Sequence, residues 1–198
     1  MNLAAPEWVQ KLATVRLQRD AGAGHRWLEL DTPDPFTRPR PGQFVQLLFM
    51  PPAPVLLPRP MSVAMVRPLD TGCTLGFLFA PVGAGTQALG ALREGDAIEV
   101  LGPLGRGFPL DEPGVPVLIA GGRGVAPMIF AAQALAQPLA QPLAHPGASS
   151  PSRRCEFIFG ARDERHLVGL GEARRELEGV GGTLHLCTDD GSRGARGN

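Results

Sequence analysis

The chain has no excess of charge of either sign: Lys+Arg and Asp+Glu both number 19, for a formal net charge of +0. That balance argues against nucleic acid or an anionic membrane as partner, since both are held by basic surfaces. Cysteine is scarce as well. Cys73, Cys155 and Cys187 lie far apart with no Cys-x-x-Cys pairing. They offer neither a disulfide framework nor metal-site spacing, and each reads as a small buried apolar residue. No segment is apolar for long enough to span a bilayer, and the terminus Met-Asn-Leu-Ala-Ala-Pro-Glu-Trp has no basic region leading into an apolar run. The expectation is a cytoplasmic protein that handles small molecules.

What is present supports a folded chain. Hydrophobic residues make up 43% and charged residues 19%, enough for a packed core in one large domain or two small ones. The 26 glycines and 21 prolines fall just short of a low-complexity composition and imply many turns and short strands.

Strand patterns run through the first half. Lys11 to Gln18 and Arg26 to Leu30 alternate apolar and polar residues around a turn at Asp20 to Gly24. Prolines 33, 35, 39 and 41 forbid a helix or central strand between Asp31 and Pro41. Gly42 then launches a strand, Ser62 to Val66 reads as another, and Asp70-Thr71-Gly72 is a hairpin signal before Cys73 to Phe79. Gln87 to Leu92 suits a short helix with Thr86 near its N-cap, and Ala97 to Leu101 closes the set. Many short strands at close spacing predict an antiparallel barrel over 8–110.

From Val115 the pattern becomes strand, helix, strand, helix, strand: Val115 to Ala120, Pro127 to Ala136, Glu156 to Phe159, Leu167 to Glu178 and Thr183 to Thr188. This alternation predicts βαβ units and a parallel sheet over 115–198. The repeat after Ala136, Gln-Pro-Leu-Ala-Gln-Pro-Leu-Ala, reads as a surface insertion over 136–152.

Two stretches carry chemistry. Gly121, Gly122 and Gly124 interrupt a strand-to-helix junction ahead of Pro127, where backbone can approach a ligand and helix N–H groups can face an anion, although such a junction is often only a turn. Arg59-Pro60-Met61-Ser62 combines a planar cationic fork suited to a pyrophosphate, a proline that fixes a turn, and a hydroxyl that can bond a ring heteroatom. Gly85 and Thr86 follow at a helix start that could serve the same phosphates. His166 and His185 have no partner pattern and read as structural or exposed.

The run Pro41-Gly42-Gln43-Phe44-Val45, Arg59-Pro60-x-Ser62, Gly83-x-Gly85-Thr86, Gly102-Pro103-Leu104-Gly105-x-Gly107-Phe108, Ala120-Gly121-Gly122-x-Gly124-Val125-Ala126-Pro127, Phe159-Gly160-Ala161-Arg162 and Thr188-Asp189-Asp190-Gly191-Ser192 resembles the ferredoxin-NADP reductase superfamily. Within it, the run resembles the family of electron-transfer subunits of NAD-dependent dihydroorotate dehydrogenase. The resemblance implies an antiparallel FAD-binding β-barrel followed by an incomplete Rossmann-like parallel-sheet NAD-binding domain. By position, Arg59, Pro60, Met61 and Ser62 would hold the flavin, Leu78, Phe79 and Ala80 would line it, and Gly85 and Thr86 would hold its pyrophosphate. The family often has a basic residue where this chain has Ala80. Gly121, Gly122, Gly124 and Pro127 would receive NAD(H) as co-substrate, with Arg123 either reaching a phosphate or facing solvent.

Asp163 and Glu164 disfavour a 2′-phosphate by like charge, which points to NAD over NADP. Asp189 and Asp190 read equally as site or turn residues. No catalytic residue is expected, because the flavin carries the chemistry. The implied partner, in a hetero-oligomer, is the FMN-containing dihydroorotate dehydrogenase catalytic subunit of pyrimidine biosynthesis, with electrons passing between it and NAD by way of FAD. Alternatives are a generic NAD(P)H-flavin or ferredoxin reductase and a non-catalytic flavin-binding fragment.

The family also implies a [2Fe-2S] cluster held by a cysteine-rich tail, but its ligands are absent from this chain, so no metal ligand is assigned. The chain is expected to be C-terminally truncated after its third parallel strand. That leaves Val115 to Ala120 as an exposed apolar edge.

Overall fold

The computed structural model describes residues 8–34, 36, 38–50, 55–136 and 154–197. They form two compact units that divide between Gly107 and Phe108, upstream of the linker at Asp111 to Gly114. The insertion expected after Ala136 lies outside the described residues. Among the described residues, no helix is long and apolar enough to cross a membrane.

In the first unit the early alternation extends further than expected, giving β1 (Val9–Gly22) and β2 (His25–Thr32). The unit continues with β3 (Phe44–Leu48), β4 (Arg59–Ser62), β5 (Met65–Pro68), β6 (Cys73–Phe79), α1 (Ala84–Ala91) and β7 (Ala97–Leu104). The strands form one antiparallel sheet in the order β4-β3-β7-β1-β2-β6-β5. Leu28, Leu30, Val45, Leu47, Phe77 and Ile98 are fully buried in its core.

The single strand expected over Ser62 to Val66 is in fact two, and the break closes the barrel. The Val63 N–H donates to the Gln43 carbonyl at 3.4 Å beside β3, whereas the Ala64 N–H donates to the Gly76 carbonyl of β6 at 2.8 Å. Because β4 and β5 are the two ends of the sheet, this two-residue link obliges the sheet to curl round on itself. Pro60, expected to fix a turn, sits instead in β4 opposite Gln46. As an edge strand, β4 can lose one N–H on its open side without breaking a ladder bond.

The second unit contains β8 (Val117–Gly121), a 3-10 turn at Gly122–Gly124, α2 (Val125–Ala136), β9 (Glu156–Ala161), α3 (Leu170–Val180), β10 (Thr183–Thr188) and β11 (Ala195–Arg196). Its sheet is parallel, in the order β11-β10-β9-β8. The expected third and last strand is therefore followed by a short fourth, β11. The helix expected from Leu167 begins later, because Asp163 first caps a separate 3-10 turn at Glu164–His166 and Gly169 reverses the chain at φ +80.

α2 packs against β8 and α3. Leu118 and Ala120 are buried, but Val117 and Ile119 on the other face of β8 are 55% and 66% exposed. β8 is the edge of the sheet among the described residues.

Candidate functional site

In the first unit, pairing of β4 with β3 fixes the backbone of Arg59 opposite Leu47. The Arg59 side chain is clamped by the preceding loop: Nε donates to the Pro58 carbonyl at 3.0 Å and the Leu57 carbonyl at 3.3 Å, and Nη2 donates to the Leu57 carbonyl at 3.1 Å. The same side chain crosses Gly85 in the first turn of α1. A Cβ at Gly85 would stand 2.6 Å from Arg59 Cδ and 2.8 Å from Nε, so only glycine permits this approach.

The start of α1 differs from the expected cap. Its N-cap is Gly83, and Thr86 lies one turn in. The Thr86 hydroxyl accepts from the Gly83 N–H and donates to the Gly83 carbonyl, both at 3.1 Å. With no side chain on Gly83 to cap them, the first-turn N–H groups stay available to an anion at the positive end of the helix. A guanidinium beside a bare helix start is the donor set a diphosphate requires.

Around this seat, Pro60 and Ser62 are exposed, which leaves the Ser62 hydroxyl at the surface. Met61, Leu78, Phe79 and Ala80 are buried. Those four can offer packed wall and backbone to a ligand but no polar side chain.

In the second unit Gly121 ends β8, Gly122 (φ +49) and Gly124 form the turn, and Pro127 occupies the first turn of α2. Proline is tolerated there because that N–H has no helical acceptor. A Cβ at Gly121, Gly122 or Gly124 would meet nothing within 4 Å. The loop thus presents open backbone, with Arg123 exposed beside it.

The carboxyl ends of β9 and β10 are tied together. The Asp189 N–H donates to the Ala161 carbonyl at 3.1 Å and the Asp190 N–H to the Arg162 carbonyl at 3.2 Å. The Ser192 hydroxyl accepts from the Glu164 N–H at 2.8 Å and donates to Asp190 Oδ1 at 2.7 Å. That hydroxyl bond, reinforced by the Ser192 N–H, holds the Asp190 carboxyl below the usual carboxylate range. Asp190 is therefore a turn-forming residue. The side-chain bond from His166 likewise holds Asp163 low.

No protein-family model matches the chain. It is 38% identical over 176 residues to the electron transfer subunit of dihydroorotate dehydrogenase B (NAD(+)) from Desulforamulus reducens, an alignment covering 86% of this chain and 58% of that protein. The subunit of the same name from Shouchella clausii is 34% identical, with 80% of this chain and 54% of the relative covered. The chain is a homologue of these electron-transfer subunits. It spans a little over half their length.

Among solved structures, the cytochrome P450 reductase GcoB of Amycolatopsis superposes with a TM-score of 0.71 at 28% identity, covering 95% of this chain and 55% of that one. The flavohem-like FAD/NAD binding domain of nitric oxide dioxygenase from Vibrio cholerae gives 0.74 at 17% identity, covering 95% and 78%, a likeness of fold. The architecture is that of ferredoxin-reductase-like flavoproteins.

The residues of this homologue do not fit an iron-sulfur cluster. Such a cluster takes four thiolates, and the chain has three cysteines, all free. Burial raises the Cys73 and Cys155 thiols above their ordinary range, away from the thiolate form that binds metal. Cys187 is only half-buried, unlike the fully buried residue expected. His166 and His185, read as structural or exposed, each meet a carboxylate not assigned from the sequence: His166 Nδ1 lies 2.6 Å from Asp163 and His185 Nε2 lies 2.6 Å from Glu156. The first pair was available as an Asp-x-x-His cap. The second depends on the register of β9 against β10, which places Glu156 beside Thr183.

Proposed function

We propose that the chain is an electron-transfer flavoprotein subunit that holds FAD in its first unit and NAD(H) in its second. In this reading it passes electrons between NAD and the FMN-containing catalytic subunit of dihydroorotate dehydrogenase. The observation that carries it is the Arg59 side chain laid across Gly85 at the bare start of α1, which supports a dinucleotide pyrophosphate seat. Arg59 neutralises the diphosphate, and the first-turn N–H groups of α1 complete its hydrogen bonds. The Ser62 hydroxyl reaches a ring heteroatom, while Leu78 to Ala80 keep water from the ring.

In the second unit the Gly121 to Gly124 backbone takes the nicotinamide nucleotide, with Pro127 fixing the helix that follows. When bound, a flavin supplies the exchange of hydride and electrons, so the side chains position and exclude water and none acts as acid or base.

The test is purification with FAD, gel filtration and absorbance of the protein peak, followed by NADH reduction coupled to dihydroorotate with the catalytic subunit present. A colourless chain sinks the flavin assignment. The 28% identity to a cytochrome P450 reductase favours one second reading, a reductase serving another acceptor. Flavin reduction by NADH without coupling to dihydroorotate selects it.

A further inference from the structure

We infer that Gln18 is a positioning residue for the proposed pyrophosphate seat: it moors the far end of α1 to β1 and so fixes where the first turn of that helix meets Arg59. The inference rests on reading that first turn as the seat of a dinucleotide pyrophosphate.

Gln18 reaches α1 because β1 is bulged. In the first part of the strand Ala13 and Val15 are buried, while Leu12, Thr14 and Arg16 are exposed. Continued alternation would send Gln18 outward with Thr14 and Arg16. Between Val15 and Leu17, however, the register against β2 slips by one residue, from Val15 opposite Leu30 to Leu17 opposite Glu29. Such a slip exchanges the two faces of the strand. Gln18 therefore lies opposite Leu28, a fully buried core residue, and Arg19 turns the other way, its guanidinium 5.4 Å from the centre of the Trp27 ring.

From there Gln18 Nε2 donates to the Gly90 carbonyl at 2.6 Å. Gly90 lies in the last turn of α1, where carbonyls have no donor within the helix. β1 also holds the chain just after the helix: the Gly95 N–H donates to the Val15 carbonyl at 2.9 Å, and the Val15 N–H donates to the Asp96 carbonyl at 2.8 Å. At its start, α1 is bonded to itself through Gly83 and Thr86 and is met by Arg59 at Gly85. A helix of this size is only about 12 Å long and moves as one body. The mooring at Gly90 thus sets where the first-turn N–H groups stand.

A glutamine is a poor choice for the barrel alone. Its Oε1 is buried and has no partner among the described residues, and a buried acceptor left unpaired destabilises a fold. Methionine, unbranched and apolar, would fill similar space without that penalty. What glutamine supplies, and methionine does not, is the bond to α1.

The test uses the full chain with Gln18→Met, and Gln18→Leu as a second variant. Without flavin, both should melt within a few degrees of wild type. The amides of α1, including the Gln87 N–H that donates to the Gly83 carbonyl at 2.8 Å, should nevertheless exchange about tenfold faster, while the Val15 amide is unchanged. FAD, followed by fluorescence titration, should bind about tenfold more weakly.

FAD affinity within about twofold of wild type in a variant that folds like wild type overturns the inference. So does an equal rise in exchange at Val15, or loss of folding in both variants, since either makes Gln18 a support of the whole barrel rather than of α1. A wild-type chain that binds no FAD sinks the pyrophosphate reading itself, whatever the variants do, and takes the inference with it.

Discussion

Replacing Gly85 by alanine separates the flavin seat from the fold. A Cβ at this position would stand 2.6 Å from Arg59 Cδ, 2.8 Å from Nε and 3.1 Å from Cζ, so the Arg59 side chain has to move by roughly an ångström to restore ordinary contact. Moving it breaks the hydrogen bonds to the Leu57 and Pro58 carbonyls. The cost to the fold is small, because alanine in a helix is favoured over glycine by about 1 kcal/mol, which offsets a modest repacking term. The cost to ligand binding is larger. One charge-assisted hydrogen bond contributes about 1.5–3 kcal/mol, or roughly ten- to a hundredfold in affinity.

The expected result for Gly85→Ala is an apo melting temperature within a few degrees of wild type and an FAD dissociation constant raised by about ten- to a hundredfold in fluorescence titration. Arg59→Ala should do the same, and the double variant should be no worse than either alone, because both remove one interaction. Unchanged FAD affinity in Gly85→Ala, or additive losses in the double variant, refutes the placement of Arg59 on the pyrophosphate.

Three further outcomes follow from the geometry. The exposed apolar edge of β8 should make the purified chain self-associate, and Ile119→Lys should render it monodisperse in light scattering; an unassociated wild type counts against this. Gly72→Ala combines φ +88 with a Cβ driven into the Thr32 carbonyl, and should cost at least about 3 kcal/mol in urea unfolding. Asp163 has a folded pKa below its ordinary 3.8, so the contribution of the His166 cap is fully present above that value and is lost as the pH falls below it. Carboxyl NMR titration of Asp163 against Asp163→Asn should show that midpoint displaced downward, and an undisplaced midpoint removes the cap from the account.

The two units were legible in the sequence because each has its own period. Alternation over Lys11 to Gln18 reports a half-buried strand, and the apolar runs of Val117–Gly121 and Glu156–Ala161 separated by a helix report parallel pairing. The break at Val63-Ala64 was not legible, since two apolar residues inside an apolar run give no turn signal. Their role appears only when Gln43 and Gly76 are brought to either side. Thr86 was misplaced for a related reason. A threonine near a helix start reads as an N-cap, but Gly83, lacking a side chain, takes that position and leaves the threonine hydroxyl to bond back to it. The Glu164–Arg193 pair joins the loops after two different strands, and no local spacing encodes it.

These differences bear on how firmly each seat is held. Arg59 stands on an edge strand, yet that edge is secured: β4 pairs with β3, and its next residues are bonded on one side to Gln43 and on the other to Gly76. Displacing Arg59 therefore means opening the barrel or breaking its bonds to the Leu57 and Pro58 carbonyls. The glycine turn at Gly122–Gly124 follows a strand paired, among the described residues, on one side only, to β9. Among the described residues β4 and β8 each pair with one strand, but the chain leaving β4 is tied at once by the Val63 and Ala64 backbone bonds, and such ties raise the cost of local opening. The proposed pyrophosphate seat of the first unit is thus held by its own scaffold. The glycine loop of the second draws its order from α2 and β9.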